Sequence, residues 1–148
     1  MINPRPNDVL LADDDPDDLL QFELAIKDVS MPVYLRHAKD GEELFVRLKE
    51  AIPDLLFLDI EMPCKDGMAC ILEIRRNPEY NFMPVIMFTS HSRQSFIEES
   101  YQTGANYFLL KPATVKALTE KLEFILSKGW SKQMYFPSRD EFVLEGKI

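Results

Sequence analysis

Six polar side chains in this chain each follow a short apolar run, and together they have the types needed to handle a phosphoryl group. Asp13, Asp14 and Asp15 follow Val9-Leu10-Leu11-Ala12, and Asp59 follows Leu55-Leu56-Phe57-Leu58. Thr89 follows Val85-Ile86-Met87-Phe88, and Lys111 follows Tyr107-Phe108-Leu109-Leu110. Carboxylates gathered at one edge repel one another, so a hard cation is their natural occupant. A site with few protein oxygens, the rest being water or phosphate, suits Mg²⁺. Asp59 can then serve as nucleophile, since a carboxylate can form an acyl phosphate. Lys111 would pair with phosphoryl oxygens as a point charge, and the Thr89 hydroxyl would donate a hydrogen bond to one. Taken singly, each residue has a plainer role. Acidic residues at a strand–helix junction are commonly caps, a lone Asp or Thr is usually satisfied locally, and a Lys before Pro is usually solvated. It is their joint placement that carries the functional reading.

The elements that must position these groups alternate along the chain. The four apolar runs read as buried strands, with a further strand at Val33-Tyr34-Leu35. The run 55–58 is apolar without alternation, as a strand covered on both faces of a parallel sheet requires. After the first strand, Asp15 reads as a helix N-cap and Pro16 as the first helical residue, with Asp17 and Asp18 favourable at the positive end of the helix dipole. Leu19, Phe22, Ile26 and Val29 then recur at helical spacing. The second helix, 42–50, turns Leu44, Leu48 and Ile52 inward. A third helix spans 67–76, stopping before Asn77-Pro78. The fourth, about 92–103, is the least amphipathic, with Phe96, Ile97 and Tyr101 as its candidates for burial and Gly104 as its C-terminal stop. The last carries Val115, Leu118, Leu122 and Ile125 and ends near Gly129. Five strand–helix units in a row predict an α/β fold, a doubly wound five-stranded parallel sheet with helices on both faces. Ligands bind such sheets outside the carboxyl ends of the strands, where the six polar residues fall.

Composition is compatible with this fold. The 148 residues suit one domain, and a hydrophobic share of 46% with ten Phe and five Tyr supports a core. No apolar run approaches the length of a membrane span, and the N-terminus lacks an apolar signal region; the expectation is a cytoplasmic protein. A net charge of −8 and a pI near 4.8, without a basic patch, argue against nucleic acid and anionic membrane as partners. Cys64 and Cys70 match no metal pattern and read as buried or partly buried free thiols.

At these residues the chain resembles the receiver domains of two-component response regulators, over nearly all of residues 7–128. The matching pieces are Leu10-Leu11-Ala12-Asp13-Asp14-Asp15, Leu58-Asp59-Ile60-Glu61-Met62-Pro63 with Asp66-Gly67, Phe88-Thr89-Ser90, and Phe108-Leu109-Leu110-Lys111-Pro112. The resemblance implies the flavodoxin-like receiver fold and a signalling phosphoacceptor rather than an enzyme with turnover. It makes Asp13 and Asp14 the acidic pair that holds Mg²⁺, Asp59 the phosphoacceptor, and Glu61 the residue whose backbone carbonyl joins the metal. Thr89 and Lys111 match the pair that binds the phosphoryl group. Phe108 matches the switch aromatic whose ring turns inward on activation, with an outward state that exposes apolar surface. Asp15 stays a cap. The Lys111–Pro112 bond would be cis, as in most of the family. The side chains of Glu61 and His91 fall where they influence phosphoryl lifetime, although a solvated loop residue is the plainer reading of His91.

The implied partners are a sensor histidine kinase or phosphotransfer protein upstream, and downstream an unidentified protein or a second copy of this chain. Signalling would use the face of the fourth helix, fifth strand and fifth helix. Residues 1–128 form the receiver domain in this reading. Residues 129–148 form a C-terminal extension without an output domain, whose Trp130, Tyr135, Phe136, Phe142 and Leu144 suggest docking. The single-domain layout and the Asp-Pro-Asp-Asp opening resemble regulators that act by docking, including those paired with phytochrome-type kinases. Three rivals are weaker. A haloacid-dehalogenase-type phosphatase needs Asp-x-Asp where this chain has Asp59-Ile60-Glu61. A flavin mononucleotide binder needs hydroxyls and backbone N–H groups where Asp13–Asp15 would repel phosphate. A degenerate receiver would lack one of the key residues, and none is missing.

Overall fold

Leu55, Leu56, Phe57 and Leu58 are all buried, as are the five residues 85–89, so both runs are covered on two faces. This is the computed structural model of the chain, which describes residues 6–130 and 134–145. The reading of residues 1–5 lies outside the described part, as do 131–133 and 146–148 of the extension. In chain order the elements are β1 (Asn7–Ala12), α1 (Pro16–Lys27), β2 (Val33–Ala38), α2 (Gly41–Glu50), β3 (Leu55–Leu58), α3 (Gly67–Arg76), β4 (Val85–Thr89), α4 (Gln94–Thr103), β5 (Tyr107–Leu110), α5 (Val115–Leu126) and β6 (Val143–Leu144).

All pairings are parallel, in the order β2-β1-β3-β4-β5-β6. The chain steps from β1 outward to β2 and then back across to β3. The strand order therefore reverses between β1 and β3, where a crevice opens at the carboxyl ends. The expected five strands are in fact six, because the C-terminal extension adds β6. Without it β5 would be an edge strand with unpaired backbone groups; instead the Phe108 N–H donates to the Phe142 carbonyl at 3.0 Å.

Two cores flank the sheet. On one face Phe22 and Ala25 of α1 meet Leu118, Leu122 and Ile125 of α5 over Val9, Leu11, Phe57, Phe88 and Tyr107. On the other, α2, α3 and α4 contribute Leu44, Leu48, Ile71, Ile74 and Ile97, which pack over Leu10, Leu56, Leu58, Met87 and Phe108. Adjacent residues of each strand serve opposite cores, the period-2 alternation of a pleated strand. Ile52 departs from expectation and is exposed, because α2 ends at Glu50 and leaves it outside the helix.

The caps agree with the local chemistry. Asp15 accepts from the Asp17 N–H with Pro16 following, and Asp40, Asp66 and Thr114 cap α2, α3 and α5 in the same way. Only α4 starts without a side-chain cap, at Gln94 rather than residue 92, and it stops at Gly104 in the left-handed region (φ 107°). Cys70 is buried, and burial pushes its thiol up to about 12. Cys64 is exposed rather than partly buried, on a turn with φ 70°. Among the described residues no helix is long and apolar enough to cross a membrane.

Candidate functional site

Three strand ends carry the ladder one residue further and so fix three of the polar groups. The Asp13 N–H donates to the Ala38 carbonyl at 3.0 Å, the Asp59 N–H to Ala12 at 2.9 Å, and the Lys111 N–H to Thr89 at 2.8 Å. His37 adds a hydrogen bond at 2.8 Å between its Nε2 and the Asp13 carbonyl. Gly67 closes the loop after Asp59: its N–H donates to the Ile60 carbonyl at 2.8 Å. A Cβ there would lie 2.1 Å from the Asp59 carbonyl oxygen, so only glycine lets the backbone approach this closely.

One ligand oxygen each from Asp13, Asp14 and Asp59 lie within 4.8 Å of one another, the only such group of potential metal ligands among the described residues. Asp13 is inaccessible to solvent and Asp59 nearly so, while Asp14 is exposed. Asp14, Asp59, Glu61, Thr89, His91 and Lys111 line one open cleft of about 630 Å³. Asp13 lies beneath it, in contact with Lys111. Thr89 is buried and its Oγ1 accepts from the His91 N–H at 3.3 Å. At the rim the Glu61 carboxylate meets His91 Nε2 at 2.8 Å, with both side chains more than half exposed.

Lys111 is not the solvated residue that its place before proline suggests. Its side chain is only 10% exposed, with Nζ 2.6 Å from Asp18 Oδ2, 2.9 Å from Asp13 Oδ2 and 3.1 Å from Asp59 Oδ2. Burial alone would pull its pKa down. The hydrogen bond to Asp18 and the charges of Asp59 and Asp13 outweigh that and hold it above the usual lysine range. Burial raises Asp13 despite the Asp15 N–H and the lysine. Burial, then Lys111 in opposition, then the Asp13 charge set Asp59, which ends pushed up to about 6. Asp13 Oδ2 has the shared Lys111 ammonium 2.9 Å away but no well-aligned hydrogen bond, and among the described residues it is the one buried side-chain N or O atom in that position.

Asp18 was missed by the sequence reading, which assigned it to the helix dipole. An acidic residue in the first turn of α1, on the same helical face as apolar Phe22, is the signal that could have marked it. Phe108 stands away from the cleft lining and is fully buried, the inward position of the two that the resemblance implies, with the Phe142 ring 6.4 Å away. The extension supplies that cover, with Phe142 also edge-on to Tyr101 at 5.1 Å. Tyr107, its neighbour in the strand, points to the opposite face and is buried in the other core, 6.3 Å from Trp130. The Lys111–Pro112 bond, expected cis, is trans, and no peptide bond among the described residues is cis. The two forms of a bond before proline differ by only about 0.5–1 kcal/mol, so local context readily selects either.

Comparison with known proteins agrees with this arrangement. The family model described as the response regulator receiver domain matches residues 9–123. The phosphate regulon transcriptional regulatory protein PhoB of Rhizobium meliloti is 30% identical over 111 residues, covering 75% of this chain and 47% of that protein. The chain thus spans about half of PhoB. Chemotaxis protein CheY-3 of Vibrio cholerae is 32% identical over 93 residues, 63% of this chain and 72% of that one. Among solved structures, the Mn²⁺-bound form of response regulator Rcp1 superposes with a TM-score of 0.75 at 26% identity, covering 90% of this chain and all of that one. With the family model covering most of its length, the chain belongs to the response regulator receiver domain family.

Proposed function

We propose that the chain accepts a phosphoryl group on Asp59 from a phosphohistidine of a sensor kinase or phosphotransfer protein, and that Asp13, Asp14, Asp59 and the Glu61 backbone carbonyl hold Mg²⁺ beside it. The observation that carries this reading is the convergence of three carboxylates within 4.8 Å, two of them buried and sharing a single ammonium. An all-oxygen donor set with room for water suits a small hard cation, and the similar Rcp1 structure is a Mn²⁺-bound form. Bound there, Mg²⁺ would offset the repulsion among the carboxylates and neutralise charge on the transferring group.

The side chains divide the remaining work. An Asp59 carboxylate oxygen attacks phosphorus while the donor nitrogen–phosphorus bond breaks, and the imidazole leaves with the bonding pair. A carboxyl pushed up to about 6 is still mostly ionised at pH 7 and so able to attack. Lys111, 3.1 Å from Asp59, supplies positive charge to the new phosphoryl oxygens, and the Thr89 hydroxyl donates to one of them. Glu61 and His91, paired across the rim, stand where water must pass to hydrolyse the acyl phosphate. The signal would leave through the face of α4, β5 and α5. Because Phe108 is sealed beneath Phe142, the moving parts of that face include β6 and Tyr101 as well as the aromatic itself. Under this reading residues 1–128 act as the receiver and the extension serves as part of its output surface.

Intact-mass measurement after phosphoramidate with Mg²⁺ tests the reading. One added phosphoryl group is expected on the native chain and none on Asp59→Asn. Equal labelling of the variant would move the acceptor elsewhere.

A further inference from the structure

Beside the three clustered carboxylates a further one, Asp18, is held to the Lys111 ammonium that Asp13 and Asp59 also contact. Asp17 and Asp18 both lie in the first turn of α1, where acidic residues favour the helix dipole. Asp17 is exposed. Asp18 instead lines the cleft, and its Oδ2 accepts from Lys111 Nζ at 2.6 Å, the shortest of the lysine's three carboxylate contacts. Asp18 is not one of the three clustered ligands; its side chain is 22% exposed.

The ammonium is nearly dehydrated, so its three donors must be met by neighbouring oxygens. Two of those neighbours, Asp13 Oδ2 and Asp59 Oδ2, belong to carboxylates that a divalent cation would also need. Lysine and cation therefore compete for the same groups. A carboxylate that takes up the lysine from the other side eases that competition. We propose that Asp18 is a positioning residue: it holds the Lys111 ammonium on the α1 side of the cleft and keeps it from closing as an ion pair over Asp13 and Asp59. This rests on the reading of those residues as Mg²⁺ ligands. It assigns Asp18 a role through Lys111 and none at the metal itself.

A double-mutant cycle read by Mg²⁺ affinity separates this from a general effect of charge. Amide chemical shifts would follow Mg²⁺ titrations of the full chain as wild type, Asp18→Asn, Lys111→Met and the double variant. Wild type and the double variant carry the same net charge in the cleft, since one loses an anion and a cation together. Asp18→Asn is expected to weaken Mg²⁺ binding by about tenfold, the scale of losing an outer partner of a metal site. In the Lys111→Met background the same substitution is expected to change affinity by about twofold or less, the coupling being gone. Asp18→Glu, which keeps the carboxylate, should bind close to the wild type and guards against a fold defect in Asp18→Asn. Unchanged affinity in Asp18→Asn overturns the proposal. So does an equal loss with and without Lys111, which would make Asp18 a source of field alone. A wild type that binds no Mg²⁺ would instead remove the underlying assignment of the ligands.

Discussion

Buried polar groups occur at both ends of the parallel strands, and the two ends treat them differently. At the amino end, Asn106 is fully buried and fully used: Oδ1 accepts from the Val85 N–H at 2.8 Å and from Arg75 Nη2 at 3.1 Å, and Nδ2 donates to the Tyr135 carbonyl at 2.7 Å. The Arg75 guanidinium also donates to the carbonyls of Gly104, Tyr80 and Met83. At the carboxyl end Asp13 is equally buried, yet its Oδ2 has no well-aligned hydrogen bond and must share one ammonium with two other carboxylates. The first network is closed and joins α3, β4, β5 and the extension. The second is open and carries surplus negative charge. Burial of a polar group does not by itself mark a functional site; a buried group left without its partners does, because the missing partner must arrive from outside.

Breaking the open cluster should show most. Asp13→Ala with Asp14→Ala is expected to keep the fold and lose more than about a hundredfold in Mg²⁺ affinity, a ligand counting for more than an outer partner. Calorimetric titration checks this, and affinity at the native level would place the cation elsewhere. Breaking the closed network should cost stability instead. Asn106→Ala strands the Val85 N–H and one guanidinium donor, and urea unfolding should register a loss of about 2 kcal/mol.

Neutralising the open cluster should act in the opposite direction. With Asp59 pushed up to about 6 from 3.8, the folded chain keeps a proton that the unfolded chain releases. Stability should then fall as pH rises from about 3.8 to about 6 and stay lower above that, with Asp13 shifted in the same sense. Asp59→Asn removes this penalty, so without Mg²⁺ at pH 7 it should be more stable than the wild type by about 1 kcal/mol. Thermal unfolding at pH 5 and pH 7 in chelator would show the gap shrinking at the lower pH; a destabilised variant at pH 7 would mean that the Lys111 pairing outweighs the repulsion. The smallest effect belongs to the exposed rim. His91→Ala should shift stability by about 0.5 kcal/mol or less, as for solvent-exposed polar contacts in general, while altering the lifetime of the acyl phosphate followed by intact mass over time.

Much of the carboxyl end was readable from the residue order, because its determinants are local. Runs such as 55–58 and 85–88 declare strands buried on both faces, and in a parallel sheet each run delivers the next residue to the same edge. Asp13, Asp59, Thr89 and Lys111 therefore reach one edge wherever the helices lie in detail. Asp15 and Gly104 were equally legible, since capping and left-handed turns depend on near neighbours. Tertiary structure alone decided the rest. Asp17 and Asp18 are alike in type and adjacent on α1, but about 100° of helical rotation separates them, and only the docking of α1 against the sheet sends one to solvent and the other to Lys111. Val143 and Leu144 carry no strand signal in so short a run; the open edge of β5 made them one, by offering backbone groups that needed partners. The same pairing sealed Phe108 under Phe142, across a sequence separation that no local pattern spans.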